Sequence, residues 1–270
     1  MQDRRGVMYF ANQNGVLEFD GAAWNLIPVD GDRYANALAI DSSGRIYVGG
    51  INDLGYLRAD STGTLRFVSL RPALPDTTIQ FRDIWCIFVL PNEVVFSSEN
   101  FIFRYAGGRL RVLPARSSFN MLHYVDGRLL VDQPDIGLCE VIGDSLALLP
   151  DGAAFKDTEV NLIIRYDAKR WLIMEERGWH LYDGRRAVRM RTEADEIFRK
   201  FRLYRALELP NGHYAIASTG GGVVVLELAF VDGFASRCPE IYSAVVEASA
   251  FVNWRRRDLG NDAVIALSFH

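Results

Sequence analysis

Gly44-Arg45-Ile46-Tyr47-Val48-Gly49-Gly50, followed closely by Gly55-Tyr56-Leu57-Arg58-Ala59-Asp60, is the stretch whose reading decides the fold. Each part is a short run of β-branched and aromatic residues bounded by Gly, Asp or Asn, which is the pattern of a β-hairpin. A helix would need apolar residues at i, i+3, i+4 and i+7 over about ten or more positions. No such run is sustained anywhere in the chain.

The same paired pattern recurs six times. Residues 6–12 pair with 15–21 ahead of it, and 93–98 with 101–105, 127–132 with 137–141, 170–175 with 178–183, and 212–218 with 222–227 follow. A further apolar run precedes most hairpins: Ala35 to Ile40, Ile84 to Leu90, Met121 to Val125, Val160 to Tyr166 and Leu203 to Leu209. A fourth follows several of them, as in Trp24 to Val29, Leu65 to Leu70 and Leu110 to Leu113. Four antiparallel strands repeated at roughly 35 to 48 residues are the blades of a β-propeller. The reading is therefore an all-β chain, residues 1–270 forming a single β-propeller domain of six recognisable blades. The near-continuous apolar character of the run before each hairpin predicts an innermost strand buried on both faces.

The first copy lacks that innermost strand, because residues 1–5 are too few and too polar to supply it. Residues 261–269 read as an orphan inner strand with no hairpin after it. One expectation is that this C-terminal strand completes the first blade and closes the ring, pairing an otherwise open sheet edge. The other is that it begins a further blade of a longer array. Residues 229–260 are atypical: they carry apolar runs without a clear hairpin. They read either as a degenerate seventh blade or as the sixth outer strand plus a long loop.

Charge and composition narrow the classes of function. The 270 residues carry 30 Lys and Arg against 34 Asp and Glu, a net charge of −4. That balance offers no phosphate-binding surface, so nucleic acid is not an expected partner. Arg255-Arg256-Arg257 reads as a solvated run. Cys86, Cys139 and Cys238 lack CxxC spacing and read as buried thiols, with a single disulfide left open. No window approaches about 18 consecutive apolar residues, so this chain is not expected to insert into a membrane. Its first residues lack the apolar region of a signal peptide.

Residues 8–24, Met8-Tyr9-Phe10-Ala11-Asn12-Gln13-Asn14-Gly15-Val16-Leu17-Glu18-Phe19-Asp20-Gly21-Ala22-Ala23-Trp24, and the run 44–57 resemble the two-component regulator propeller family. The resemblance is strongest over residues 6–115 and fades towards 228. It implies an extracytoplasmic sensor propeller of a bacterial transmembrane signalling protein, in which the propeller is joined to a histidine kinase, a nucleotide cyclase or a DNA-binding output module. The matching residues are mostly turn glycines and packing aromatics, so they speak to the fold more than to a ligand.

Chemistry-bearing residues are sparse. His123, His180, His213 and His270 have no metal-ligand spacing and no accompanying carboxylate or cysteine cluster, so no metal and no cofactor are expected. Gly220-Gly221-Gly222 precedes no helix and reads as a hairpin turn rather than a phosphate cradle. Asp20, Asp60 and Asp183 recur at one repeat position, which points to turn chemistry.

The loops offer a better guide. In a propeller, the turns between second and third strands share one face with the links into each innermost strand. Here those loops are polar and differ from blade to blade, and loops on a rigid scaffold are where binding concentrates. The candidate ligand-binding residues are Asn12, Asn14, Tyr34, Asn52, Asp53, Arg82, Glu99, Asn120, Gln133, Glu175, Arg177, Arg202 and Thr219.

Together with the resemblance, this reads as a non-catalytic sensing propeller that binds a small polar molecule or an oligosaccharide. Its other partners would be adjoining signalling domains or a second copy. Two alternatives belong to different classes. One is a propeller enzyme of the lyase type, for which His123 and His213 would be the first residues to test. The other is a protein-interaction or dimerisation platform.

Overall fold

In the computed structural model the described residues are 1–29, 34–176, 178–190, 200–201, 203–208, 214–218, 222–226 and 245–246. They form six antiparallel sheets with strands in simple up-and-down order. The first sheet has three strands, β1 (Met8–Asn12), β2 (Gly15–Phe19) and β3 (Trp24–Ile27). The second has β4 (Ala35–Ile40), β5 (Ile46–Gly50), β6 (Leu54–Ala59) and β7 (Leu65–Ser69). The third has β8 (Ile84–Val89), β9 (Val94–Ser98), β10 (Phe101–Ala106) and β11 (Arg109–Pro114). The fourth has β12 (Leu122–Val125), β13 (Arg128–Gln133), β14 (Gly137–Ile142) and β15 (Ser145–Leu148). The fifth has β16 (Val160–Arg165), β17 (Trp171–Glu175), β18 (Gly178–Tyr182) and β19 (Ala187–Met190). The sixth has β20 (Leu203–Glu208), β21 (Tyr214–Ser218), β22 (Gly222–Leu226) and the two-residue β23 (Val245–Val246). This four-stranded repeat is the blade of a β-propeller.

The hairpins and inner runs of the sequence reading coincide with these strands to within a residue or two. The first sheet lacks its inner strand, as expected. Its open edge is met by the chain start, where Met1 and Tyr9 exchange backbone hydrogen bonds of 2.8 Å in each direction. Val245–Val246 pairs with β22 in the place of an outer strand. The proposed closing strand, 261–269, and the rest of 229–260 lie outside the described residues.

Burial differs from the sequence expectation in one respect. In three blades the strand buried along its whole length is the second, not the first: β5, β9 and β17. The first strands β4 and β8 are only partly buried. The reason is position in the sheet. The inner strand is an edge with one side open, whereas the second strand is flanked by strands on both sides and by neighbouring sheets on its faces. Burial then falls towards the outer strands, as in β3, where Trp24 is exposed but stacks on Phe19 at 4.6 Å.

Contacts divide the chain into two compact units, one of Met1–Tyr124 with Val141–Ala147, the other of Val125–Glu140 with Leu148–His270. In the first unit, two apolar clusters lie between consecutive blades. One joins Tyr9, Val16 and Ile27 to Ile46, Val48 and Leu57. The other joins Tyr47 and Leu54 to Ile84, Phe96 and Phe103. Each fully buried side chain of this size contributes roughly 1.5–3 kcal/mol. In the second unit the equivalent cluster joins Leu130 and Leu138 to Val160, Ile173, Trp171 and Tyr182.

Two glycines show what the tight blade requires. Gly15 opens β2 at φ +126°, and a Cβ there would lie 2.3 Å from the Ile27 carbonyl oxygen. In the interior of β5, a Cβ on Gly49 would lie 2.4 Å from the Ile84 side chain. The bare backbone at Gly49 lets the inner strand of the third blade approach the second, which positions the site described next. Cys139 is buried and Cys86 half-buried, and Cys238 lies outside the described residues.

Candidate functional site

A register slip recurs near the start of the inner strands. β4 and β5 slip between Ala35 and Ala37, β8 and β9 between Ile84 and Cys86, β16 and β17 between Val160 and Leu162, and β20 and β21 between Leu203 and Arg205. The extra residues are Asn36, Trp85, Asn161 and Tyr204. A bulge sets two residues against one, frees the extra residue from the pleat and re-aims it.

In the first unit the bulges of β4 and β8 flank Asp83. Asn36 Nδ2 donates to Asp83 Oδ1 at 2.6 Å, and the Tyr34 phenol lies within electrostatic reach of the same carboxylate. Burial first, then that carboxylate, holds the Tyr34 phenol above its ordinary pKa. Asp83 itself is tied to the second blade by a β-bridge to Ile51. Beside it, Arg82 is exposed and Trp85 is 46% exposed, although Ile84 between them is fully buried.

Asn52 lies next to this cluster and acts as a latch. It sits in the left-handed region at φ 48°. Its side-chain oxygen accepts from Arg71 at 2.6 Å and from the Phe81 N–H at 3.2 Å, and its amide donates to Gln80 Oε1 at 2.7 Å. Its backbone N–H donates to the Arg82 carbonyl at 3.1 Å. Arg71 also donates to the Thr77 and Ile79 carbonyls at 3.1 and 3.2 Å. The long link between β7 and β8 is thereby pinned to the β5–β6 hairpin.

The other candidates of this unit have separate local roles. Asp53 is buried and accepts from the Leu54 N–H at 2.8 Å and the Ser69 hydroxyl at 2.6 Å. Asn12 Oδ1 accepts from the N–H of exposed Asn14 at 3.0 Å, closing the β1–β2 turn. Glu99 is exposed, and its carbonyl accepts from the Phe119 N–H at 2.6 Å. Asn120 is half-buried just before β12.

In the second unit, Gln133 and Glu175 end the buried strands β13 and β17. Gln133 Nε2 lies 3.6 Å from Cys139 Sγ. Glu175 is 3% exposed and accepts from the Thr158 hydroxyl at 2.6 Å. Asp132, fully buried, accepts from the Val160 N–H at 3.3 Å. Asn161, at the bulge, has a buried Oδ1 without a hydrogen-bond partner among the described residues. Arg177, Arg202 and Thr219 lie outside the described residues.

The structure thus brings Tyr34, Asn52 and Arg82 into one neighbourhood around Asp83 and leaves Asn12, Asn14 and Glu99 in their own turns. Reading by residue type missed Asn36, Trp85 and Asn161, because each lies inside an apolar inner-strand run and looks like a core or pleat position. The signal that could have found them is an amide or Trp at the second position of that run in successive repeats.

Of the histidines, His123 is buried in β12. His180 is half-buried in β18, where burial first holds its pKa below the ordinary value. His213 and His270 lie outside the described residues. No group of three or more His, Cys, Asp or Glu that could hold a metal occurs among the described residues. No helix of the described residues is long and apolar enough to cross a membrane.

No family model matches the sequence, and no curated protein matches it. Solved structures do. The extracellular domain of a protein described as a hybrid two-component system of B. thetaiotaomicron superimposes with a TM-score of 0.62 at 14% identity, covering 92% of this chain and 33% of that one. Virginiamycin B lyase from Staphylococcus aureus gives 0.59 at 12% identity, covering 84% and 79%. The WD40 β-propeller domain of Doa1 gives 0.58 at 17% identity, covering 84% and 79%. The β-propeller fold read from the repeat is matched, as is the resemblance to two-component sensor domains at the level of fold. The chain spans about a third of the length of the two-component domains it matches.

Proposed function

We propose that this chain is the non-catalytic sensing propeller of a two-component-type receptor, binding a small polar molecule or an oligosaccharide on the face formed by the β-hairpin ends and the links into the inner strands. The observation that carries the reading is the Asp83 cluster. Asn36, Tyr34 and Asp83 converge at the ends of two neighbouring inner strands, beside exposed Arg82 and Trp85. Loops with no binding role need no such convergence of polar groups from separate blades. The fold likeness to extracellular two-component domains supports placing the chain on the extracytoplasmic side, joined to signalling domains in its receptor. Balanced charge supports a ligand that is not a nucleic acid.

The test is a thermal-shift screen of defined sugars and small polar metabolites, followed by calorimetry and product analysis of any hit. A saturable stabilisation without turnover is expected. Conversion of the ligand by a hydrolytic or lyase reaction would overturn the non-catalytic reading, and stabilisation by none of the probes would overturn the sensing reading.

A further inference from the structure

We infer that a cleft between the second and third blades is a separate binding site, for a small organic monocarboxylate with an apolar body, and that Arg45 holds the carboxylate. The cleft is lined by the β4–β5, β8–β9 and β10–β11 turns. These lie at the opposite strand ends from the hairpin turns of the face proposed for sensing, so the two sites are independent.

Strand register sets the walls. Side chains alternate between the two faces of a strand. Ile46 and Val48 of β5 pack with the first blade, and Tyr47 between them packs with the third. Arg45, two residues before Tyr47, lines the cleft with it. Tyr56 is the cross-strand partner of Tyr47 and shares its face. Across the gap, Val94 of β9 and Tyr105 of β10 are paired in register and both line the cleft. Ile40, Val89, Leu90 and Pro91 complete the apolar wall, and the cleft has a volume of about 760 Å³. Small-molecule sites are typically about 300–1,000 Å³.

The charges in the cleft are unevenly satisfied. Asp41 Oδ1 accepts from the Ser43 and Arg45 N–H groups at 2.8 and 3.0 Å and from the Ser43 hydroxyl at 2.5 Å. Its Oδ2 accepts from the Tyr47 hydroxyl at 3.2 Å. A carboxylate offers about four acceptor positions, so Asp41 has none left for a ligand. Glu93 accepts from Arg104 at 2.9 and 2.5 Å and lies 3.5 Å from Arg111. Arg45 is exposed and makes no ion pair among the described residues. Its Cζ lies 4.8 Å from the centre of the Tyr56 ring, and its charge reaches the Tyr47 hydroxyl. Stacking on a ring uses the face of a guanidinium and leaves its N–H edge to grip a planar carboxylate through two parallel bonds. One such cation beside ionised Asp41 balances a single negative charge better than the near-double charge of a phosphate monoester. An ammonium ligand would find both carboxylates already taken and Arg45 opposing it.

The experiment uses the full chain with hexanoate and 3-phenylpropanoate, and with 3-phenylpropanamide, 2-phenylethylammonium and phenyl phosphate as the neutral, cationic and dianionic probes. Binding is read by calorimetry and by ligand-detected NMR. Wild type is expected to bind at least one of the two acids saturably, with a Kd of about 1 mM or tighter, and to prefer 3-phenylpropanoate to its amide at least about tenfold. Arg45→Gln should weaken acid binding at least about tenfold and erase the preference over the amide, while Arg45→Lys keeps part of both. Ser42→Trp, an exposed change at the rim that leaves Arg45 in place, should weaken acid and amide alike by filling the cleft. Failure of both acids to bind overturns the site. Acid binding undiminished in both Arg45→Gln and Ser42→Trp places the ligand elsewhere and also overturns it. Tighter binding of phenyl phosphate or 2-phenylethylammonium than of 3-phenylpropanoate overturns the ligand class. None of these results touches the sensing reading, whose own probes should bind the Arg45→Gln variant as they bind wild type.

Discussion

Arg71 holds Asn52 at two points with one guanidinium nitrogen, donating to its backbone carbonyl at 2.8 Å and to its side-chain oxygen at 2.6 Å. The other terminal nitrogen serves the Thr77 and Ile79 carbonyls. One planar fork therefore joins a hairpin end to the link that delivers Asp83 and Trp85. Hydrogen bonds from a charged donor are each stronger than neutral ones, and partial exposure of Arg71 offsets some of that gain. Arg71→Ala should cost about 1–2 kcal/mol in chemical denaturation. Arg71→Lys should recover little of it, because a single ammonium cannot span all four acceptors. A Lys variant as stable as wild type would show that the fork geometry is immaterial.

Gly137 opens β14 at φ +112°, and a Cβ there would lie 2.2 Å from the Gly152 carbonyl oxygen. Gly107, in the β10–β11 turn at φ +56°, has nothing within 4 Å of its would-be Cβ. Both positions favour glycine, but only one is also crowded by backbone. Gly137→Ala should lower stability by more than about 2 kcal/mol, and Gly107→Ala by about 1 kcal/mol. Equal costs in the two variants would mean that backbone conformation alone, not the carbonyl contact, sets the penalty.

Acid sensitivity follows from the repeated turn aspartates. Asp20 accepts from the Ala23 and Ala22 N–H groups, Asp183 from those of Arg186 and Arg185, and Asp60 from the Thr62 hydroxyl and N–H. These bonds favour the ionised form and hold all three pKa values below the ordinary 3.8, Asp60 at about 2. A carboxylate with a depressed folded-state pKa contributes its stabilisation in full above its unfolded value. That contribution is lost as pH falls through the folded value. The melting temperature should therefore drop between about pH 4 and pH 2. Asp60→Asn keeps the turn but removes the titration, so its melt should fall less steeply over that window. An identical slope would exclude Asp60 from the effect.

These aspartates were legible in the sequence because they recur at one repeat position, and recurrence separates turn chemistry from catalysis. The strands were legible for the same reason: Ile46-Tyr47-Val48-Gly49-Gly50 has counterparts in every blade. The site was only half legible. Tyr34 and Arg82 lie in polar links and stood out, but Trp85 is embedded in Ile84-Trp85-Cys86-Ile87-Phe88-Val89, which reads as core. A one-residue slip decides whether it points inward or out, and hydrogen-bond register is not written in residue type. The same gap explains the burial pattern. Hydrophobicity distinguished strands from turns, but it did not tell an edge strand such as β8 from the buried β9 beside it.

Asp126 supplies a last test, in the second unit. It lies in the left-handed region at φ 50°, followed by Gly127 at φ +76°, so the two residues make the tight β12–β13 turn. Its carboxylate accepts from Trp171 Nε1 at 2.7 Å and pairs with Arg165, while the Arg128 guanidinium lies 4.9 Å from the centre of the Trp171 ring. Asp126 is thus both a turn former and the partner that makes burial of the indole N–H affordable. Asp126→Asn should keep the turn and the indole bond and lose the ion pair, which is exposed on the arginine side and worth no more than about 1 kcal/mol. Asp126→Ala should lose all three contributions, cost about 2–3 kcal/mol, and perturb the emission of Trp171. If Asn and Ala variants are equally stable, the indole hydrogen bond and the left-handed turn contribute nothing, and the blade is held by apolar packing of Trp171 against Tyr182 alone.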